Sequence, residues 1–226
     1  MKLGRSRMKS LCFALLLCFV GAETATAADW TIWGGRTLEN PNEALRVNLG
    51  WPSVDIAYHF LFDMDFELAP KASFKYGQHA VFGEESSCCG FGLIAGSEAR
   101  WAFFSQKGFS MAVRGEAGLI LDLSPVGDSQ EGVGTGLRLG PGLALDYSAS
   151  PDVNVVGGID IPVDILFQEP TLAVIPFLLR AGLEFHPTQE LLVFTMVGMG
   201  PAVLAGGDES EGGFGLSANI GMAHKF

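Results

Sequence analysis

The side chains of this chain that could support acid–base or nucleophilic chemistry are few. His59 follows Asp55 by four residues and precedes Asp63 by four. On a strand of period two, all three share one face. A His/Asp pair is half of a hydrolytic triad, and Ser53 and Ser73 are the only serines near enough to supply the nucleophile. His186 precedes Pro187 and reads as a turn residue, and His224 falls on an apolar face. Gly132 to Gly136 (GVGTG) lacks the following lysine of a phosphate loop, and the acidic loops lack calcium-site spacing. Cys88 and Cys89 are adjacent, so they can close a strained ring, pair with another chain or stay free; metal-site CxxC spacing is absent. The reading is therefore no catalytic, cofactor-binding or metal site. A hydrolase using His59 with Asp55 is the alternative.

The elements that would position these groups follow from composition and period. The 226 residues are 48% hydrophobic and 17% charged, with 30 glycines, a net charge of -11 and a mean hydropathy of +0.31. Low charge with high apolar content excludes a disordered chain, and the acidic balance excludes nucleic acid as a partner.

Residues 1–27 read as a cleavable signal peptide. Lys2, Arg5, Arg7 and Lys9 form a basic start, Leu11 to Val20 is apolar, and Ala25-Thr26-Ala27 is a small-x-small cleavage pattern. Ten apolar residues make about 15 Å of helix, half a hydrocarbon core. The remaining chain carries ten bases against 24 acids, a net -14. Residues 28–43 are then expected as an N-terminal periplasmic segment, with a barrel over 44–226.

After the signal the period is two. Ten candidate strands fall at 45–51, 54–62, 66–76, 91–103, 109–121, 133–147, 153–165, 172–185, 191–205 and 214–226. Prolines 70, 141, 162, 176 and 201 lie inside these runs and are expected at bulges or strand ends, because each removes a ladder donor. One alternating face carries no Asp, Glu, Lys or Arg. The other carries Arg46, Asp55, Glu67, Lys71, Lys75, Glu98, Arg100, Arg114, Glu116, Arg138, Asp146, Asp160, Asp164, Arg180, Glu184 and Lys225. Eight bases face eight acids there. A soluble sandwich of this size could not hide so large an apolar face, whereas a membrane barrel turns it to lipid and keeps the balanced charges in its lumen. The fold expected is all-β: a transmembrane up-and-down antiparallel barrel of about ten strands, with eight as the alternative.

Charge pairing across the Ser105-Gln106-Lys107 turn favours a register with Glu98 opposite Arg114 and Gly96 opposite Glu116. Phe60, Phe62, Phe66, Trp101, Phe103 and Phe109 gather at the short-turn end, and Trp51, Tyr76, Phe91 and Phe214 at the other, as two aromatic girdles. Longer connections are expected at 77–90, 122–132 and 205–213. The outer loops carry Glu84, Glu85, Asp128, Glu131, Glu169, Asp208, Glu209 and Glu211 and no base. Inward glycines such as Gly118, Gly136 and Gly182 leave room, while Leu178, Leu192, Phe194 and Met196 point inward and could fill it.

The last strand, with Phe214, Leu216, Ala218, Ile220 and Met222 alternating up to the terminal Phe226, resembles the C-terminal strand of small bacterial outer-membrane β-barrel proteins, the OmpA- and OmpW-like group. His224 departs from that pattern. The resemblance implies location in the Gram-negative outer membrane, contact with lipid and lipopolysaccharide, and Phe226 as a signal to the barrel-assembly machinery. The group includes channels, anchors, adhesins and a few lipid-A-modifying enzymes. The expected role is structural, or passive porin-like conduction of small solutes or ions through a narrow charged lumen. The alternatives are a surface adhesion or ligand-binding barrel acting through acidic loops, and the lipid-modifying hydrolase.

Overall fold

The computed structural model describes residues 30–38, 43–82, 91–123, 133–169, 171–206 and 209–226. The signal peptide, Cys88-Cys89 and the loop acids Glu84, Glu85, Asp128, Glu131 and Asp208 lie outside the described residues.

Alternating β-branched and aromatic residues make strands because each side chain then packs on one face of a pleat. The strands are β1 (Glu43–Trp51), β2 (Ser53–Asp63), β3 (Phe66–Lys75), β4 (Ala80–Val81), β5 (Gly92–Gln106), β6 (Phe109–Asp122), β7 (Gly134–Leu139), β8 (Gly142–Ser150), β9 (Val153–Asp160), β10 (Val163–Phe167), β11 (Leu172–Pro176), β12 (Leu178–Phe185), β13 (Leu191–Gly206) and β14 (Glu209–Lys225). All pairings are antiparallel, and β14 closes on β1 from Ala44↔Lys225 to Trp51↔Ala218. The result is a ring of ten strands. β7 with β8, β9 with β10, and β11 with β12 are each one ring strand interrupted near its middle. β4 joins β14 beyond the ring.

The prolines interrupt without shifting anything. The register of β6 against β7 (Gly118↔Arg138) runs on unchanged into β8 (Arg114↔Gly142) past Pro141. The same continuity holds past Pro162 and Pro176, while Pro70 and Pro201 sit inside β3 and β13. Pro141, Pro162 and Pro176 thus fall at strand ends as expected, whereas Pro70 and Pro201, inside unbulged ladders, correct the expectation at those two positions. Carbonyls next to the prolines still accept, as Pro141 does from Ile161 and Pro201 from Phe177, so each loses one bond and the neighbours hold the row. The bulges lie instead at the tight-turn end, at Leu61/Asp63, Ala102/Phe104 and Ser148/Ser150.

Two further expectations are overturned. The β5–β6 register sets Glu98 opposite Glu116 and Arg100 opposite Arg114. The turn is the two residues Lys107 and Gly108, at φ 50° and 78°, which match the strands' twist only with positive φ. That turn and the bulge above it slip the ladder by two residues from the arrangement favoured by pairwise charge. The stretch 205–213 is also no long loop, since β13 and β14 stay paired up to Gly206↔Glu209. Glycines and acids there carry no apolar pattern, but a ladder needs only backbone groups.

Outward side chains include Leu49, Ile56, Leu119, Leu179, Ile220 and Met222, all exposed, Leu179 to 67%. Inward ones include the buried Arg46, Glu67, Glu98, Arg138, Asp146 and Glu184.

Candidate functional site: the occupied lumen

The inner charges are arranged as clusters rather than as opposing pairs. Arg46 reaches Glu98 with both terminal nitrogens, at 3.1 and 2.9 Å. Lys71 lies 3.0 Å from Glu98 and 2.6 Å from Glu116. Arg114 spans Glu98 at 3.4 Å and Asp160 at 3.5 Å, and Asp160 also holds Arg180. Higher up, Arg138 and Asp164, register partners on β7 and β10, form a two-bond fork at 2.6 Å, with Lys75 3.7 Å from Asp164. Arg100 and Glu67, register partners on β5 and β3, are joined at 2.6 Å. Each buried charge thus has a counter-charge or several donors, as low dielectric demands.

His59 belongs to this network and not to a dyad with Asp55. Its Nδ1 is 2.7 Å from Glu67. Asp55 accepts instead from Asn48 and Ser53, both at 2.9 Å, and Asp63 caps the exposed Met64 amide. The register explains the difference: inward side chains of β2 meet those of β1 and β3 across the sheet, and Glu67 comes nearer to His59 than Asp55 does. The His59–Asp55 pairing is therefore corrected.

The feature that strand patterning missed is the occupant of the lumen. Residues 28–43 were read as a periplasmic segment, yet residues 30–38 are folded inside the barrel and buried, apart from a half-buried Arg36. They form a hairpin whose two legs meet the tight-turn end. Trp30 Nε1 donates to the Gln189 carbonyl at 3.0 Å, and Thr37 Oγ1 donates to that of Met64 at 3.2 Å. Thr31 Oγ1 donates to the Arg36 carbonyl at 3.0 Å and ties the legs together.

Lumen charges hold this hairpin by its backbone. Glu184 accepts from the amides of Ile32 and Trp33, at 3.0 and 2.7 Å. Asp146 accepts from Gly35 and Arg36 N–H groups, at 2.5 and 3.1 Å, and from the Arg36 guanidinium at 2.8 Å. Glu67 accepts from Leu38 at 3.1 Å. Arg100 donates to the carbonyls of Thr31, Ile32 and Gly34, at 2.9, 3.0 and 3.2 Å. Peptide groups buried without water need such partners. The apex also requires glycine. A Cβ on Gly35 would run into the β6 backbone at Ser110 and Met111, and one on Gly34 into Asp146.

Apolar packing completes the fit. Trp30, Ile32, Trp33 and Leu38 share one core with Val156, Leu192, Phe194 and Met196. Of the inward residues expected to fill the lumen, Leu192, Phe194 and Met196 do so together with the hairpin, and Leu178 lines the space beyond it. The guanidiniums of Arg46, Arg114 and Arg180 stand 4.7, 4.7 and 4.2 Å from the Trp33 ring. Three cations share one indole, so its π density offsets charge that Glu98 and Asp160 must otherwise balance alone.

Beyond Trp33 the lumen widens into a polar vestibule of about 80 Å³, lined among others by Asn48, Asp55, Glu116, Arg138, Arg180 and His79. Burial and the nearby Arg138 push the His79 imidazole, in the loop before β4, down to about 3, so it is neutral. Among the described residues no cluster of three or more His, Cys, Asp or Glu side chains is arranged to hold a metal.

No protein-family model matches this chain, and no curated protein matches it. Among solved structures, the N-terminal β-barrel domain of Pseudomonas aeruginosa OprF is similar at 11% identity, over 82% of this chain and 96% of that one, with a TM-score of 0.39.

Proposed function

We propose that this chain is an integral outer-membrane barrel with a structural role, closed at rest by its own N-terminal hairpin. The observation that carries the reading is the inverted partition of side chains. Leu49, Ile56, Leu119, Leu179 and Ile220 stand exposed around the outer wall, while Arg46, Glu67, Glu98, Arg138, Asp146 and Glu184 are buried within. Water would penalise that outer wall and lipid favours it, with a closed ring leaving no unpaired edge. In this setting the tight-turn end, where β1 starts and β14 stops, is periplasmic, the exposed Phe226 just past β14 serves the assembly machinery, and the wall meets lipid and lipopolysaccharide.

The hairpin supports a closed resting state over standing conduction. The hairpin occupies the tight-turn half, and the vestibule lies on its far side. A lipid-modifying hydrolase gains no support from His59: Glu67 holds its Nδ1 as a triad acid would, but among the described residues its Nε2 has no serine hydroxyl bonded to it. The adhesion alternative rests on outer loops that lie mostly outside the described residues.

The test is extraction followed by electrophoresis in detergent with and without boiling. A folded barrel migrates differently before and after heating, and membrane-fraction recovery accompanies it. A water-soluble monomer with one mobility at all temperatures overturns the reading.

A further inference from the structure

We propose that the hairpin of residues 30–38 is a withdrawable gate, and that its exit opens a path for small cations through the barrel. This rests on the barrel reading above and adds an activity to it. Three features of the hairpin point to withdrawal rather than permanent cementing.

First, both legs enter from one end, at Gln189 and Met64, so the loop can leave without threading the chain. Second, beside the apolar seat of Trp30, Ile32, Trp33 and Leu38, the hairpin is held by backbone amides donating to Glu184, Asp146 and Glu67 and carbonyls accepting from Arg100, bonds that water replaces on exit. Third, the wall does not depend on it, since the ring closes through β1 and β14. The vestibule beyond Trp33 already holds the other half of a path.

The ion class follows from what exit uncovers. The partners seen for Glu184 and Asp146 belong to the hairpin: the Ile32 and Trp33 amides for one, and Gly35 with Arg36 for the other. Withdrawal removes the Arg36 cation and bares both carboxylates; Arg100 loses its three hairpin carbonyls but keeps Glu67, and Arg46, Arg114 and Arg180 keep Glu98 and Asp160. The opened passage is therefore cation-selective.

Full-length protein refolded into planar bilayers in potassium chloride provides the test. The expected result is a mostly closed wild type and a Gly35→Val variant with open probability raised on the order of tenfold or more, because a side chain at Gly35 meets β6 backbone and expels the apex. In that background Asp146→Asn should lower the potassium-over-chloride permeability ratio read from the reversal potential. If Gly35→Val does not refold, Glu184→Ala, which removes the acceptor of two hairpin amides, replaces it. A refolded variant as silent as wild type overturns the gate, and so does a wild type that conducts as freely as the variant. An Asp146→Asn ratio equal to that of its parent overturns the ion class. Heat-dependent mobility, measured on the same samples, separates these failures from failure of the barrel itself.

Discussion

Glu98 and Glu116 stand directly opposite each other on β5 and β6, and Lys71 from β3 bridges them at 3.0 and 2.6 Å. A like-charged pair that would be unfavourable in a two-stranded ribbon is here neutralised by a third strand. In a closed lumen every inward side chain has neighbours across the ring as well as beside it.

Glu98 is the hub of that arrangement, contacting Arg46, Lys71 and Arg114. Glu98→Gln should destabilise the barrel by about 3–5 kcal/mol by leaving buried bases under-compensated. Glu116→Gln, with Lys71 as its only ion-pair partner among the described residues, should cost about 1.5–3 kcal/mol. Urea unfolding in micelles, followed by tryptophan fluorescence, measures both; equal losses would contradict the hub.

Trp33 combines core packing with the three guanidiniums. Trp33→Ala should cost about 3–5 kcal/mol. Trp33→Phe keeps a ring but a weaker π face, and should lose about 0.5–2 kcal/mol. The same unfolding assay decides, and a phenylalanine variant as unstable as the alanine one would rule out a cation–π contribution.

The wall predicts opposite tolerances at two sites. Leu119 is 66% exposed on β6, so Leu119→Lys should impair assembly into lipid by about 2–4 kcal/mol. Asn219 lines the vestibule, and Asn219→Ser should stay within about 1 kcal/mol. The folded fraction on unboiled gels after refolding into vesicles reports both, and a well-tolerated lysine would count against the assigned faces.

Two glycines separate backbone need from simple smallness. Gly158 has φ of 151°, and a Cβ there would collide with the Leu143 carbonyl oxygen. Gly158→Ala should cost at least about 1–3 kcal/mol. Gly115 has nothing within 4 Å of an added Cβ, so Gly115→Ala should change stability by no more than about 0.5 kcal/mol. Comparable losses at the two positions would refute the distinction.

Much of the fold was legible because a strand writes its two faces into the chain as period two. The segment read at 191–205 became β13 at Leu191–Gly206, and the run at 45–51 became β1 at Glu43–Trp51. The 205–213 stretch escaped because its ladder uses backbone groups, to which glycines and acids contribute as well as valines do. The His59 partner escaped because proximity across strands depends on register, and register turned on one bulge and one two-residue turn.

The sequence by itself determined the wall: alternating segments with an outer face without ions and an inner one with balanced ions, because the side-chain period separates the two faces. Only the tertiary structure decided what fills the space. Residues 30–38 have no strand period and are held through peptide groups that every residue possesses, so side-chain types alone could not place them. Glu184, Asp146, Glu67 and Arg100 find those groups only once the ring has closed around them.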